Sequence, residues 1–321
     1  MPTPALSVVM PAYNSERFIG QAIESVLAQT VTDLEVLVVD DGSTDRTAEI
    51  VSELASRDSR VTLLRQAPSG RPAFPRNVAL ERVRGRYISF LDSDDFWYSH
   101  RSATLLTGLT THRGWSIAFS DFDYVDETGR PTGETYLASH GFVSEAQSYL
   151  NSLGEQWFDC GPRFYEFMSL RYAALHTQTV MIDRTTIDGS SLRFDTSYVV
   201  GEDTDLWLRL ALTGRFGYLN ASLGGYRVHG NNITRQDIAY KRDSVSLHET
   251  NYRRGAAIIS PDSRKRYRAK IASYCGHFAY ALDVAGDSDA ARRAYRRAFG
   301  WKRRPRFLWD WAKTFLRRPS G

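Results

Sequence analysis

Cysteine is scarce in this chain: Cys160 and Cys275 stand far apart with no metal-like spacing. That excludes a disulfide framework and a zinc-ribbon arrangement, and it fits a reducing cytoplasm. No uninterrupted apolar stretch of spanning length occurs, and no basic segment followed by an apolar run opens the chain, so neither a membrane span nor a secretory leader is expected. Internal repeats and long low-complexity tracts are absent as well. No Gly-x-Gly-x-x-Gly follows the first strand-like segment, and no Gly-Lys-Ser or Gly-Lys-Thr element occurs, which disfavours a dinucleotide fold and a phosphate loop. Phosphates bound here would need a metal to neutralise them.

What is present is ordinary in bulk and uneven in distribution. The 321 residues with an apolar share of 42% suit one large domain, or a domain with an appendage. The net charge of +4, from 41 basic and 37 acidic residues, hides an asymmetry. Residues 241 to 321 hold 20 Lys and Arg against 7 Asp and Glu, +13 in all, which leaves −9 for residues 1 to 240.

The acidic part alternates strand and helix signals. Ala5 to Met10 is a short apolar strand that turns out through Pro11-Ala12-Tyr13-Asn14, and Ser15 is placed to cap a helix with Ile19, Ala22, Ile23, Val26 and Leu27 on one face. Leu34 to Val39 reads as a strand buried on both faces and ends in Asp40-Asp41-Gly42-Ser43-Thr44-Asp45. A helix with Ala48, Val51, Leu54 and Ala55 inward, a strand at Val61 to Leu64, a Pro- and Gly-rich loop from Gln66 to Pro75, and a short helix around Asn77 to Arg82 follow. Tyr87 to Leu91 closes the series and runs into Asp92, Asp94 and Asp95. This alternation predicts right-handed βαβ units and a mostly parallel sheet flanked by helices. Such sheets bind ligands outside the carboxyl ends of their strands, and Asn14, Asp40, Asp41 and Asp92 to Asp95 all fall there. Carboxylates this close repel one another unless a cation lies among them.

Pro11-Ala12-Tyr13-Asn14, Asp40-Asp41-Gly-Ser-Thr-Asp45, Arg76-Asn77 and Leu91-Asp92-Ser-Asp94-Asp95, in this order, resemble the family 2 glycosyltransferases with a GT-A fold, over roughly residues 5 to 235. The resemblance implies a metal-dependent, inverting transfer of a sugar from a nucleotide diphosphate-sugar, UDP- or dTDP-linked by preference, to an acceptor hydroxyl, with Mn2+ or Mg2+ as cofactor. It implies Pro11, Tyr13, Asn14, Asp40, Arg76 and Asp92 around the donor nucleotide, with Asp40 on the base and Asp92 on ribose and metal, and Asp94 on the metal. Small residues usually precede the family's arginine, whereas Phe74-Pro75 stands here. In Gly201-Glu202-Asp203 the match to the family's Glu-Asp motif makes Asp203 the general base, and Tyr226-Arg227-Val228-His229 offers His229 as a further metal or diphosphate ligand. Dense aromatics between the metal motif and residue 170 suggest an acceptor groove; Trp97, beside the motif, and Glu202 are the candidates for that side.

Residues 1 to 236 are accordingly expected to form the catalytic domain and 237 to 321 a basic helical region. In the latter, Ala291, Ala294 and Tyr295 are available for packing beside Arg292-Arg293 and Arg296-Arg297, while Leu308, Trp311, Ala312 and Phe315 share one face of a terminal helix flanked by cations. A basic amphipathic helix with tryptophans suits packing on the domain, a homodimer contact, or an anionic membrane surface at the inner face of the membrane. Nucleic-acid binding is disfavoured, since no recognition module accompanies the charge. Two other functions compete: a sugar-phosphate nucleotidyltransferase, which would carry a Gly-rich basic loop after the first strand, and a non-catalytic carbohydrate-binding or scaffolding relative, which would have no use for clustered repelling acids.

Overall fold

The computed structural model describes residues 3–172, 174–230 and 238–315. The chain runs β1 (Leu6–Ala12), α1 (Ile19–Leu27), β2 (Leu34–Asp40), α2 (Thr47–Arg57), β3 (Val61–Arg65), α3 (Ala73–Leu80), β4 (Tyr87–Phe90), β5 (Phe96–Trp97), α4 (Arg101–Thr111), β6 (Ile117–Val125) and β7 (Pro131–Thr135). It continues through α5 (Tyr136–Ser139), α6 (Phe142–Glu145), β8 (Leu150–Gly154), β9 (Trp157–Cys160), α7 (Phe164–Leu170), β10 (Val180–Asp183), α8 (Glu202–Leu210) and β11 (Phe216–Arg227). Four helices close it: α9 (Ile238–Gly255), α10 (Pro261–Val284), α11 (Ser288–Trp301) and α12 (Pro305–Lys313).

One 11-stranded sheet carries the molecule, in the order β3-β2-β1-β4-β10-β6-β11-β9-β8, with β5 on β11 and β7 on β6. β1 to β4 pair in parallel, as the βαβ rhythm predicts. Beyond them the sheet is mixed: β10 enters antiparallel to β4 and β6, and β11 runs parallel to β6. Strands β1 and β2 are buried along their whole length because helices cover both faces. Pro11 sits at the site end of β1, past the last residue that pairs with β4, so its missing N–H breaks no rung there. The helix holding Arg76 starts at Ala73, earlier than the Pro-rich sequence suggests, because Pro75 falls in its first turn, where no N–H is needed.

The basic helices pack on the catalytic part through α7 and α8. Asp205, fully buried in α8, receives Arg254 at 2.7 Å and the Asn251 amide at 3.2 Å, both from α9. Within the helical region Glu249 accepts from Arg297 and from the Trp301 indole at 2.7 Å. Ala291, Ala294 and Tyr295 are buried as their spacing implies. The expected boundary at 236/237 falls in residues 231–237, outside the described residues.

Candidate active site

Two loops at the carboxyl ends of β1 and β2 are laced together by side chains. Asn14 adopts a positive φ of 47°, which asparagine tolerates, and its Oδ1 accepts from Thr44 N at 2.9 Å while its own N–H donates to Ser43 Oγ at 2.9 Å. Ser15, expected as a helix cap, instead bonds Ser93 across the site at 2.7 Å, and the helix begins later, at Ile19. Tyr13 is exposed at the rim and Pro11 is buried beneath it. Asp40 is fully buried: Oδ1 accepts from Ser43 N at 3.1 Å, while Oδ2 has no hydrogen-bond partner and lies 3.4 Å from the exposed Arg65 guanidinium. Its neighbour Asp41 fastens the loop that follows β3, accepting from Gln66 Nε2 at 2.5 Å and from Ser69 N and Oγ at 2.9 and 2.7 Å.

Arg76 occupies the middle of the site. Its guanidinium donates to Asp92 Oδ1 at 2.7 Å and to Glu202 Oε1 at 2.6 Å, and its side chain is only 6% exposed. One cation thus joins the acidic turn after β4 to the first turn of α8. Burial alone would raise Asp92, but the Arg76 charge and the Thr177 hydroxyl at 3.1 Å hold it below the usual carboxylate range. Glu202 is pushed up to about 7 by burial and by the charge of Asp203, against the pull of Arg76. Removing Asp92 would take the ionised partner from a buried cation, a loss of the order of several kcal/mol.

Asp94 lies beside Asp92 and is raised, first by burial and then by the Asp92 charge. Its Oδ2 is 3.0 Å from His229 Nε2, and the imidazole stacks on Phe18 at 5.3 Å. Among the described residues no cluster of three or more acidic, His or Cys side chains is built to hold a metal by itself. An unspent, charge-strained carboxylate facing an imidazole nevertheless fits a cation whose remaining ligands come from a diphosphate and water. Asp95 turns inward, accepts the Arg227 N–H at 2.8 Å, and is raised well above its normal value by burial, then by Asp94.

Asp203 stands next to Glu202, makes no hydrogen bond to Arg76, and adds its charge to those around that guanidinium. Oδ1 accepts the Thr204 N–H at 2.6 Å, and Oδ2 has no protein partner among the described residues. Gly201 begins α8 with φ +93°, and a Cβ there would press on Leu247 at 3.1 Å, so glycine sets the approach of these acids to the site.

The two residues expected on the acceptor side are both buried and engaged by protein groups. Trp97 is 3% exposed, its indole donates to Gln178 O at 3.2 Å and Arg101 lies over its ring at 3.8 Å. It is core, because in the short β5 the residue after Phe96 faces inward. Glu202 is likewise occupied by Arg76. The half-exposed aromatics lie elsewhere: Tyr136 stacks on Phe122 at 5.2 Å, and Tyr226 and His176 meet that ring at the same distance. Tyr136 feels the Asp203 charge and Asp92 feels His176, so this wall borders the acids. Tyr136 stood among the aromatic run in the sequence and Tyr226 opened the segment that offers His229, whereas His176 carried no signal.

Residues 7–164 match the Glycosyl transferase family 2 model. The chain is 28% identical over 230 residues to an Escherichia coli UDP-Glc:alpha-D-GlcNAc-diphosphoundecaprenol beta-1,3-glucosyltransferase, covering 71% of this chain and 79% of that protein. It is 44% identical over 96 residues to an uncharacterized glycosyltransferase of Haemophilus influenzae, spanning 30% of this chain and 38% of that protein. Among solved structures, S. aureus TarS 1-349 in complex with UDP superposes with a TM-score of 0.62 at 18% identity over 97% of this chain and 88% of that one. A mannosyltransferase of Pyrobaculum calidifontis in complex with GDP-Man and Mn2+ does so at 0.55 and 17% identity, over 99% and 82% of the two chains. The motifs, their convergence on one sheet edge and these matches agree: residues 7–164 are a family 2 glycosyltransferase domain, in a chain with the GT-A fold.

Proposed function

We propose a single-displacement, inverting transfer from a UDP- or dTDP-sugar to an acceptor hydroxyl. The observation that carries it is the division of the acids: Arg76 engages Asp92 and Glu202, whereas the adjacent Asp203 keeps an oxygen with no partner among the described residues. Pro11, Tyr13 and Asn14 frame the donor nucleotide, and the unspent Asp40 Oδ2 supplies an acceptor for the ring N–H of uracil or thymine. The names of the E. coli relative and of the TarS complex, which print UDP-Glc and UDP, support the uracil reading.

In this reading Asp203 removes the acceptor hydroxyl proton as its oxygen attacks the anomeric carbon. The bond from that carbon to the nucleotide diphosphate breaks on the opposite face, so configuration inverts. Asp94 and His229 would hold Mn2+ or Mg2+, which when bound supplies positive charge against the departing diphosphate. Arg76 is a positioning group, since both of its polar ends are spent on protein acids. The Tyr136, Tyr226 and His176 wall offers apolar faces for an acceptor ring.

The test is product analysis with a panel of UDP- and dTDP-sugars and hydroxyl acceptors. A product of inverted anomeric configuration, formed by wild type and lost in Asp203→Asn with nucleotide binding intact, is the expected result. Retained configuration, or full activity of Asp203→Asn, would overturn the reading.

A further inference from the structure

Away from the sheet edge, a cleft of about 370 Å3 opens between the first turns of α10 and the junction of α11 and α12. It is lined by Pro261, Arg264, Lys265, Arg268, Trp301 and Lys302, with the Arg268 guanidinium 5.3 Å from the centre of the Trp301 ring. Arg303 and Arg304 continue the positive charge toward α12. None of these cations pairs with a carboxylate among the described residues, although most arginines of the catalytic part do. A cleft of unpaired guanidinium and ammonium groups closed by an indole suits phosphate.

The helix that begins at this junction presents apolar surface outward. In α12 the inward residues are Phe307, whose ring lies over Gly276, and Trp311, so the stripe expected from Leu308 through Trp311 to Phe315 is divided. Leu308, Trp309 and Phe315 are 44%, 64% and 56% exposed, among Arg306, Lys313 and Arg292. Aqueous solvent gives no return for ordering a tryptophan and a leucine outward on a cationic helix, whereas a headgroup boundary rewards both parts. A symmetric contact between two copies would oppose two regions of +13, and a contact of this face with the acidic part of another copy would not close.

We propose that the α10 to α12 face is a docking site for an anionic phospholipid surface. Arg264, Lys265, Arg268 and Lys302 take lipid phosphates in the cleft, and Leu308 and Trp309 enter the acyl boundary. The inference does not depend on which sugar is transferred, and it holds even if the catalytic assignment of Asp203 fails.

The test is co-sedimentation of the full chain with phosphatidylcholine vesicles, with and without phosphatidylglycerol. Wild type should bind only the anionic vesicles. Lys265→Glu/Arg268→Glu and Leu308→Ser/Trp309→Ser should each lower partitioning by at least about tenfold, with UDP binding unchanged as the control for folding. Brominated lipid should quench wild-type fluorescence, and less so Trp309→Phe, a readout that survives if a paired variant misfolds. Absence of binding to anionic vesicles, equal binding to neutral ones, or binding that both paired variants retain would each overturn the proposal. So would capture of a soluble polyphosphate by a protein that ignores vesicles.

Discussion

At the residue scale the site depends on carboxylates that differ only in their neighbours. Asp203→Asn keeps the shape and the Thr204 contact but cannot accept a proton; transfer should fall by about 10²- to 10⁴-fold, with nucleotide affinity within a factor of about two, checked by parallel kinetics and titration. Glu202→Gln keeps an oxygen for Arg76 and removes a carboxyl whose ionisation the fold disfavours, since Glu202 is pushed up to about 7. The unfolded chain loses that proton first, so this group makes stability fall between about pH 4.5 and about pH 7; Glu202→Gln should flatten that fall in urea denaturation, and an identical slope in both proteins would contradict it. Lys270 gives a pH signature remote from the site. Burial pulls its ammonium from 10.5 down to about 7, while it donates to Ser169 O and Arg171 O. Between those values the unfolded chain keeps a proton that the folded chain has released, so this group makes stability rise with pH, by at most about 1.4 kcal/mol per unit. Lys270→Met should flatten the rise between about pH 7 and about pH 9, and an identical slope in both proteins would refute it. The sequence could show which acids gather but not that Arg76 would spend itself on two of them, because an ion pair between distant segments leaves no local pattern. Trp97 misleads for the same reason: adjacency to a motif says nothing about which face of a two-residue strand it occupies.

Elements were legible where their pattern was periodic. The β1 to β4 half follows from apolar runs ending in acid or asparagine, and the first turn of α8 from its acids ahead of an apolar stretch. The antiparallel strands β7 to β9 were not, since they are short, largely or partly exposed and set among aromatics that fit core and groove equally. Thr177–Thr179 forms a turn ahead of β10, and that turn delivers Thr177 to Asp92. In the helical region Glu249 ties α9 to α11 by accepting from Arg297 and Trp301. Glu249→Gln should cost about 1 to 3 kcal/mol and loosen α11 and α12 ahead of the sheet, visible as faster amide exchange confined to those helices. Uniformly faster exchange would contradict that reading.

Over the whole molecule, charge and function divide along the chain. An acidic sheet edge gathers the donor motifs, and a basic helical region packs behind α8 through Asp205. No described helix is long and apolar enough to cross a membrane. The central claim is that one sheet edge binds a nucleotide diphosphate with Asp40, Arg76, Asp92 and Asp94 around it. Isothermal titration of UDP, dTDP and GDP, with and without manganese, into wild type and Asp94→Ala tests it most directly. The account predicts tight binding of UDP or dTDP that needs both the metal and Asp94, and binding of no nucleotide under any condition would contradict it.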